Sequence, residues 1–359
     1  MAHLLNIASG LLDWLHDRGQ PTYRVRQIEQ WLYQRRATAF DQMTNLPKSL
    51  QHLLSESFDI WTTRVVRHHR ADDGTEKLVL ELHDQGRIEC VLLRDGVRRT
   101  ICVSSQVGCA MGCVFCASGL NGVERNLSSG EIVEQMLRLQ QLLPGQEQLS
   151  HVVMMGMGEP LANLSSLLPA LEVASDSERL GISTRRITIS TVGLPRAIDR
   201  LVELRTNYHL AVSLHAANDP LRNQLVPVNG RTGLRAILEA ADRYFESSGR
   251  RLTFEYVLLA DINDRNRDAQ QLAGLLRGRP ALLNIIPYNP VAGLPYRTPD
   301  APTVARFQRV LEQQGVHVQK RQRKGDRINA ACGQLRRDMP QLPDSSAQSP
   351  LPGLAPGSL

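Results

Sequence analysis

Long apolar runs and aromatic side chains are both scarce in this chain of 359 residues. No apolar stretch approaches the ~20 residues that a membrane-spanning helix needs, so the sequence predicts no membrane span. Asp13, His16 and Asp17 interrupt the short apolar run at the N-terminus, which argues against a signal peptide. Aromatic residues make up only 4% of the chain, so few platforms for base stacking are expected. We therefore expect a cytoplasmic protein.

Cysteines are also few, and their clustering argues against the disulfide framework of a small secreted protein. The six are Cys90, Cys102, Cys109, Cys113, Cys116 and Cys332. In a reducing compartment, such a cluster is more often a metal site or a catalytic site.

The hydrophobic pattern divides the chain into four regions. Residues 1–60 show helical spacing, and residues 61–99 show three short strands, so we predict a helical module followed by a small sheet. Residues 100–338 hold the main domain. Residues 339–359 are rich in Pro, Ser, Gln and Gly and are predicted to be a disordered tail.

The main domain repeats a pattern of strand, loop and helix. The predicted strands are 100–104, 151–155, 186–190, 209–214, 252–258 and 282–286. A capping box, Ser128 to Glu131, opens the first helix. Six such units predict an α/β fold with a parallel sheet and function at the carboxyl ends of its strands. Periodicity alone leaves both a partial barrel and a doubly wound sheet open.

Three cysteines follow the first of these strands at C-x3-C-x2-C spacing: Cys109, Cys113 and Cys116. Thiolates are the soft ligands that iron–sulfur clusters and zinc select. A structural zinc site wants four ligands, and the sequence shows no second pair. A cluster held by three cysteines leaves one iron open for a substrate. The spacing favours an iron–sulfur cluster, with zinc and buried structural cysteines as alternatives.

The sequence here resembles the radical S-adenosylmethionine (SAM) superfamily and, more closely, the RlmN/Cfr family of adenosine methyltransferases. The matching segments are CVSSQVGC at 102–109, MGMGEPL at 155–161, SLHA at 213–216, IPYNP at 286–290 and GDRINAACGQL at 325–335. The resemblance implies a radical SAM partial (β/α)6 barrel with an N-terminal helical module and a small β-sheet extension. It also implies a [4Fe-4S] cluster on the three cysteines and two SAM molecules per turnover.

The resemblance further implies a SAM site at the strand ends. The implied contacts are Gly158, Glu159, Ser190, Ser213, Leu214, His215 and Asn289. Glycines let a backbone approach a ligand closely, and Glu159 is able to meet an ammonium or a ribose hydroxyl. Taken alone, Gly-Glu-Pro is also an ordinary turn, and a single histidine is more often structural.

Chemistry on an adenine ring carbon needs more groups, because an electrophilic carbon such as C2 cannot attack the SAM methyl group. The resemblance implies that Cys332 takes a methyl group from one SAM, and that a radical made from a second SAM activates it for addition to the base. It assigns Cys102 to a transient disulfide with Cys332, and Glu89 to general-base catalysis. Without the resemblance these three would be an inert thiol, a core residue and a surface carboxylate. Cys90 is interpreted as an apolar filler.

A net charge of +6 favours an anionic partner without proving one. A basic run surrounds Cys332 and comprises Lys320, Arg321, Arg323, Lys324, Arg327, Arg336 and Arg337. Further candidates for RNA phosphate contacts are Arg64, Arg67, Arg70, Arg98 and Arg99. A solvated basic face is the alternative.

The resemblance implies methylation of an adenosine in RNA, and within it C2 of an adenosine in 23S ribosomal RNA is our preferred expectation, with transfer RNA as a further substrate; the sequence itself does not separate these choices. Alternatives are methylation at C8, another radical SAM substrate, and a zinc-stabilised RNA-binding module. A flavodoxin or ferredoxin is the expected electron donor, and no oligomer is required. Segment 324–334 is expected to move, with Gly325 and Gly333 as hinges. Ser118 and Val123 depart from the family's usual threonine and aromatic residue.

Overall fold

The computed structural model describes residues 2–6, 10–145, 147–321, 324–325 and 328–335. The predicted tail at 339–359 lies outside these residues, and so do four members of the basic run, Arg323, Arg327, Arg336 and Arg337. No helix among the described residues is long and apolar enough to cross a membrane.

The strands fall into one large sheet and two small pairs. In chain order they are β1 (Ala2–His3), β2 (Phe58–Asp59), β3 (Arg64–Arg70), β4 (Glu76–Glu81), β5 (Arg87–Asp95), β6 (Arg98–Cys102), β7 (Gln106–Gly108), β8 (Val123–Asn126), β9 (His151–Met154), β10 (Ile187–Thr191), β11 (His209–Ser213), β12 (Leu252–Leu258), β13 (Ala281–Pro287) and β14 (Val318–Lys320).

The large sheet has ten strands in the order β14-β13-β12-β11-β10-β9-β6-β5-β4-β3. The strands from β6 and β9 through β13 are parallel and follow one another in chain order. In a doubly wound sheet the strand order reverses at a switch point, whereas the order of these strands does not reverse. The six predicted strands are therefore confirmed as the wall of a partial barrel. The short β14 extends it by one further parallel strand.

The predicted small sheet is an antiparallel continuation of the same large sheet. Strands β3, β4 and β5 pair in turn, and β5 pairs with β6. Cross-strand partners point to the same face, so Lys77, Val91 and Cys102 lie in one row. Glu89 stands two residues from Val91 and shares that face. Cys90 points to the other face and is fully buried in the main core, as predicted.

Helices connect the parallel strands and form the N-terminal module. They are α1 (Leu11–His16), α2 (Tyr23–Glu29), α3 (Lys48–Ser57), α4 (Ser129–Gln140), α5 (Leu164–Ser175), α6 (Pro195–Glu203), α7 (Asp219–Leu225), α8 (Leu234–Ser248), α9 (Asn266–Leu276) and α10 (Ala301–Gln313). The predicted capping box is confirmed, because Ser128 Oγ accepts from Glu131 N–H and Glu131 accepts from Ser128 N–H. The predicted helix at 23–35 is present but ends in a π-helical turn, Gln30–Gln34.

Glu134 on α4 ties the N-terminal module to the barrel. Its fully buried carboxylate lies 3.3 Å from His3 Nε2 and accepts hydrogen bonds from the backbone N–H and hydroxyl groups of Thr62 and Thr63. These contacts leave few of the carboxylate's acceptor sites without a donor, as a buried charge requires. They fix the start of the β extension against the barrel's first helix.

Candidate active site

A cavity opens at the carboxyl ends of the parallel strands, where the sequence predicted function. Its empty volume is about 900 Å³, the open mouth included. Ten of the predicted site residues line it: Cys109, Cys113, Cys116, Gly158, Glu159, Ser190, Ser213, His215, Asn289 and Cys332. Leu214 is fully buried behind the wall, and its backbone N–H donates to the carbonyl of Glu255. The barrel therefore brings residues from strands β9 to β13 to one opening.

The three cysteines of the loop after β7 lie together at one end of this cavity. Burial raises the pKa of Cys109 to about 12 and also raises the pKa values of Cys113 and Cys116. Such thiols become thiolates only when bound positive charge offsets the loss of water. Three thiols at C-x3-C-x2-C spacing in one loop suit an iron–sulfur cluster, which thiolates hold.

Asn289 connects the cavity to the segment that carries Cys332. Its Nδ2 donates to the backbone carbonyl of Cys332 at 3.0 Å. Asn289 lines the cavity, and its buried Oδ1 has no hydrogen-bond partner among the described residues. A buried amide oxygen without a donor is costly, so the site fits a ligand that brings a donor such as the SAM ammonium.

The glycines after β9 pack closely against neighbouring chain. A Cβ on Gly156 would lie 2.6 Å from Ser104 Oγ, and a Cβ on Gly158 would lie 2.6 Å from Gln106 Cβ. Gly158 also has φ = 101°, which side-chain-bearing residues rarely adopt. These glycines let the segment pack against the chain after β6. Close packing therefore requires glycine at both positions, and both also line the cavity.

Glu159 and His215 are buried in the cavity wall with opposite consequences for charge. Glu159 accepts from the N–H groups of Leu161 and Val192, yet burial raises its pKa to about 7. Burial, with a smaller effect of Arg222, lowers the pKa of His215 to about 3. The Nδ1 of His215 accepts from Val257 N–H, so the neutral ring carries its proton on Nε2. Glu159 therefore provides a titratable carboxyl group in the wall, and His215 provides a neutral N–H donor.

The segment with Cys332 closes one side of the cavity through its backbone. The N–H of Ala117, next to Cys116, donates to the carbonyl of Gly333 at 2.8 Å. The hydroxyl of Ser118 donates to the carbonyl of Leu335 at 2.6 Å. Cys332 is half-buried and lines the cavity together with the three cysteines. A fourth thiol thus lies beside the loop that would hold the cluster.

Cys102 and Glu89 lie behind the cavity on the shared face of β5 and β6. Burial raises the pKa of Cys102 to about 12, and the charge of Cys332 adds to the rise. Glu89 is 2% exposed, and its Oε1 accepts from Lys77 Nζ at 3.1 Å. The structure therefore places Cys102 and Glu89 on one face of the sheet. Glu89 is not the surface carboxylate that its position alone would predict.

Comparison with known proteins agrees with this geometry. Residues 103–273 match the family model of the radical SAM superfamily, and residues 3–60 match the ribosomal RNA large subunit methyltransferase N-terminal domain. The chain is 62% identical to a protein of Rhodopirellula baltica named probable dual-specificity RNA methyltransferase RlmN, over 94% of this chain and 91% of that one. A Bacillus licheniformis protein of the same name is 42% identical over 91% of each chain.

The chain belongs to the RlmN family. A crystal structure of a radical SAM methyltransferase from Sphaerobacter thermophilus superposes with a TM-score of 0.91 at 40% identity, covering 94% of this chain and 100% of that one. The radical SAM fold and the RlmN resemblance are thereby confirmed. A [4Fe-4S] cluster and SAM follow from the family, and the cavity described above fits both.

Two arginines that bond to residues of the cavity wall were not predicted as site residues. Arg222 is fully buried and donates to the carbonyls of Val192, Ser213 and Leu214, which end strands β10 and β11. Arg321 donates to both oxygens of Glu255 at 3.3 and 3.4 Å. Sequence spacing carries no signal for Arg222. Arg321 was hidden within the basic run.

Most of the described basic residues that the sequence suggested for phosphate contacts have a carboxylate partner. Arg321 donates to Glu255, a residue that lines the cavity. Other basic residues are already paired with carboxylates: Arg64 with Glu81, Arg70 with Glu76, Arg99 with Glu147 and Lys324 with Asp95. An RNA phosphate would have to compete with these partners. Arg98 is exposed and stays a candidate contact.

Proposed function

We propose that this RlmN-family protein is an RNA methyltransferase that methylates C2 of an adenosine in 23S ribosomal RNA, with transfer RNA as a second substrate. The observation that carries the proposal is the position of Cys332. It is a half-buried thiol on a wall shared with Cys109, Cys113 and Cys116. Its backbone is held by Asn289. A cysteine needed only for packing would not require a place in that wall.

Cys332, Glu89 and Cys102 each have a different role in the proposed reaction. When bound, the cluster and two SAM molecules supply an electron, a methyl group and a carbon radical. Cys332 accepts the methyl group as a thiolate and carries the carbon to the base. Glu89 removes the proton from the attacked carbon. Cys102 breaks the carbon–sulfur bond to Cys332 by forming a disulfide, and the effect of the Cys332 charge on the pKa of Cys102 supports this role.

The proposed SAM contacts are residues that line or border the cavity. Asn289 offers its Oδ1 to the SAM ammonium, and the N–H on Nε2 of His215 is a donor. Glu159 is able to bind the ammonium or a ribose hydroxyl. Ser190, Ser213 and the backbone at Gly158 complete the site on the same wall. Leu214 contributes through its backbone, since its side chain is buried.

The proposal also covers the domain boundaries, the electron donor and the place where the enzyme works. We propose residues 1–60 as a helical module, 61–99 as a β extension and 100–338 as the catalytic domain. A flavodoxin or ferredoxin supplies the electron, the enzyme needs no oligomer, and it works in the cytoplasm. RNA is expected to bind more weakly as salt increases, because phosphate contacts release counterions.

Two measurements test the proposed function. Mass spectrometry of the purified protein is expected to find a methyl group on Cys332 and none in Cys332→Ala, which should keep its iron. Nucleoside analysis of 23S and transfer RNA, treated with reconstituted enzyme and labelled SAM, is expected to find 2-methyladenosine. Label at C8, or an unmethylated Cys332 in an enzyme that still modifies another substrate, would contradict the proposal.

A further inference from the structure

One buried lysine joins the two elements that the proposed reaction must bring together. Lys77 lies on β4, and its Nζ donates to Glu89 Oε1 at 3.1 Å and to the backbone carbonyl of Asn329 at 3.2 Å. The side chains of Lys77 and Glu89 are 6% and 2% exposed. One ammonium group therefore contacts both the candidate base and the chain three residues before Cys332.

Stability alone is a poor explanation for this pair. Removing an ammonium and a carboxylate from water costs about as much as their attraction returns, and packed apolar residues would often serve as well. A buried ion pair does, however, fix geometry, because each partner must be met at hydrogen-bond distance. Here the second acceptor is a peptide carbonyl of another segment, so the pair fixes how β4 and β5 sit against that segment.

Neighbouring contacts dock the same segment on the β extension. Asp73, in the turn between β3 and β4, accepts from the N–H of Gly325 at 2.9 Å. A Cβ on Gly325 would lie 2.8 Å from both Thr75 Cγ2 and Ala330 Cβ, so only glycine fits there. Asn329 itself has φ = 51°, a left-handed conformation. The segment thus turns sharply before Cys332, with Lys77 holding the end of the turn.

We propose that Lys77 is a positioning residue for the release step, setting the carboxylate of Glu89 and the chain that leads to Cys332 at the distance that proton removal requires. This inference rests on the proposed function of Glu89 and Cys332. Three residues span at most about 11 Å when extended, so the hold on Asn329 limits where the Cys332 sulfur can go. A base misplaced by even an ångström loses much of its effect.

The test separates loading of the methyl group from release of the product. Lys77→Met removes both hydrogen bonds and keeps an apolar chain of similar length. The purified variant is expected to carry methylated Cys332 at the wild-type level. With RNA it is expected to accumulate covalent RNA–protein adduct on denaturing gels and to release product about 100-fold more slowly. Lys77→Arg, which keeps the charge and the donors, should restore much of the release rate.

Asp73→Ala provides the matched comparison, because it loosens the same segment without touching Glu89. Methyl loading should stay at the wild-type level in this variant too, but product should be released without build-up of adduct, because Glu89 keeps its partner. Combining Lys77→Met with Glu89→Gln should slow release no further than Glu89→Gln alone, since both act on one group. If Lys77→Met does not fold, Lys77→Gln replaces it with the same expected accumulation.

The inference is overturned if Lys77→Met releases product at the wild-type rate, if Asp73→Ala accumulates as much adduct, or if the double variant shows additive losses. Failure of the proposed function looks different. In that case the wild-type protein itself would carry no methyl group on Cys332 and form no adduct. Loading and adduct formation in the wild type are therefore measured first.

Discussion

The rim of the cavity and the segment that carries Cys332 are held in different ways. The rim is made of consecutive strand ends, joined by parallel pairing and by the fully buried Arg222. Residues 324–325 and 328–335 are instead held at their backbone by hydrogen bonds with distant parts of the chain, namely the side chains of Asp73, Lys77, Ser118 and Asn289 and the N–H of Ala117. Each of these contacts is a single hydrogen bond. The strand ends at the rim are therefore held by the main sheet itself, whereas the residues around Cys332 are held on it by individual hydrogen bonds.

The largest effect is expected in the cysteine loop that borders the rim, from Cys113→Ala. With two thiolates left, the loop should no longer retain a cluster, so iron, labile sulfide and RNA methylation should all fall below detection. Cys90→Ala is the matched control, because Cys90 is also a buried cysteine but packs in the main core, away from the loop. It should keep full iron content and lose about 1 kcal/mol of stability. A Cys113→Ala protein with normal iron would show that the rim does not depend on this thiol.

A smaller effect concerns the charge of Glu159 in the rim. Its pKa in the folded state is about 7, raised by burial from the ordinary 4.5, so the folded protein keeps a proton that the unfolded chain loses above pH 4.5. Stability should therefore fall as pH rises from about 4.5 to 7, by about 3 kcal/mol in all. Glu159→Gln removes this dependence.

Urea unfolding of the cluster-free protein at pH 5 and pH 7.5 measures the effect. The stability of Glu159→Gln relative to wild type should rise between the two conditions. Glu203→Gln, at an exposed carboxylate paired with Arg200, is the matched control and should show no such change. An unchanged difference between wild type and Glu159→Gln would mean that the carboxylate is already charged at pH 5.

The smallest effect is expected where the segment meets the loop, from Ser118→Ala. The hydroxyl donates to the carbonyl of Leu335, and its loss should make local opening of the segment easier by about 1 kcal/mol. Hydrogen exchange at Ala330–Leu335 should quicken while global unfolding stays unchanged. Ser55→Ala, which removes an exposed hydroxyl in α3, should change neither. Global destabilisation by Ser118→Ala would show that segment and rim unfold as one unit, contrary to the comparison above.

Most of the barrel was predictable from its pattern, and the omissions have physical causes. Strands β7, β8 and β14 are three or four residues long, too short for an alternating pattern. The choice between a barrel and a doubly wound sheet needed strand order, which periodicity does not contain.

Some residues of the candidate site could likewise be predicted from the sequence, and others could not. The loop with Cys109, Cys113 and Cys116 is local in sequence, so its spacing alone pointed to a metal cluster. Arg222 gave no signal, because a charged residue in an amphipathic stretch is normally read as exposed. Arg321 was assigned to a basic face and instead points at Glu255.

Amino-acid order was enough to establish the repeated strand–helix units, the cysteine loop and the polar groups at the strand ends, because each depends on residues close together in the chain. It was not enough to show that Lys77 contacts the carbonyl of Asn329, 252 residues away, or that Cys102 and Glu89 share one face of the sheet. Such contacts depend on how strands pair and where a distant segment docks. Those outcomes arise from the packing of the whole chain, since no local pattern records which remote group will satisfy a buried charge.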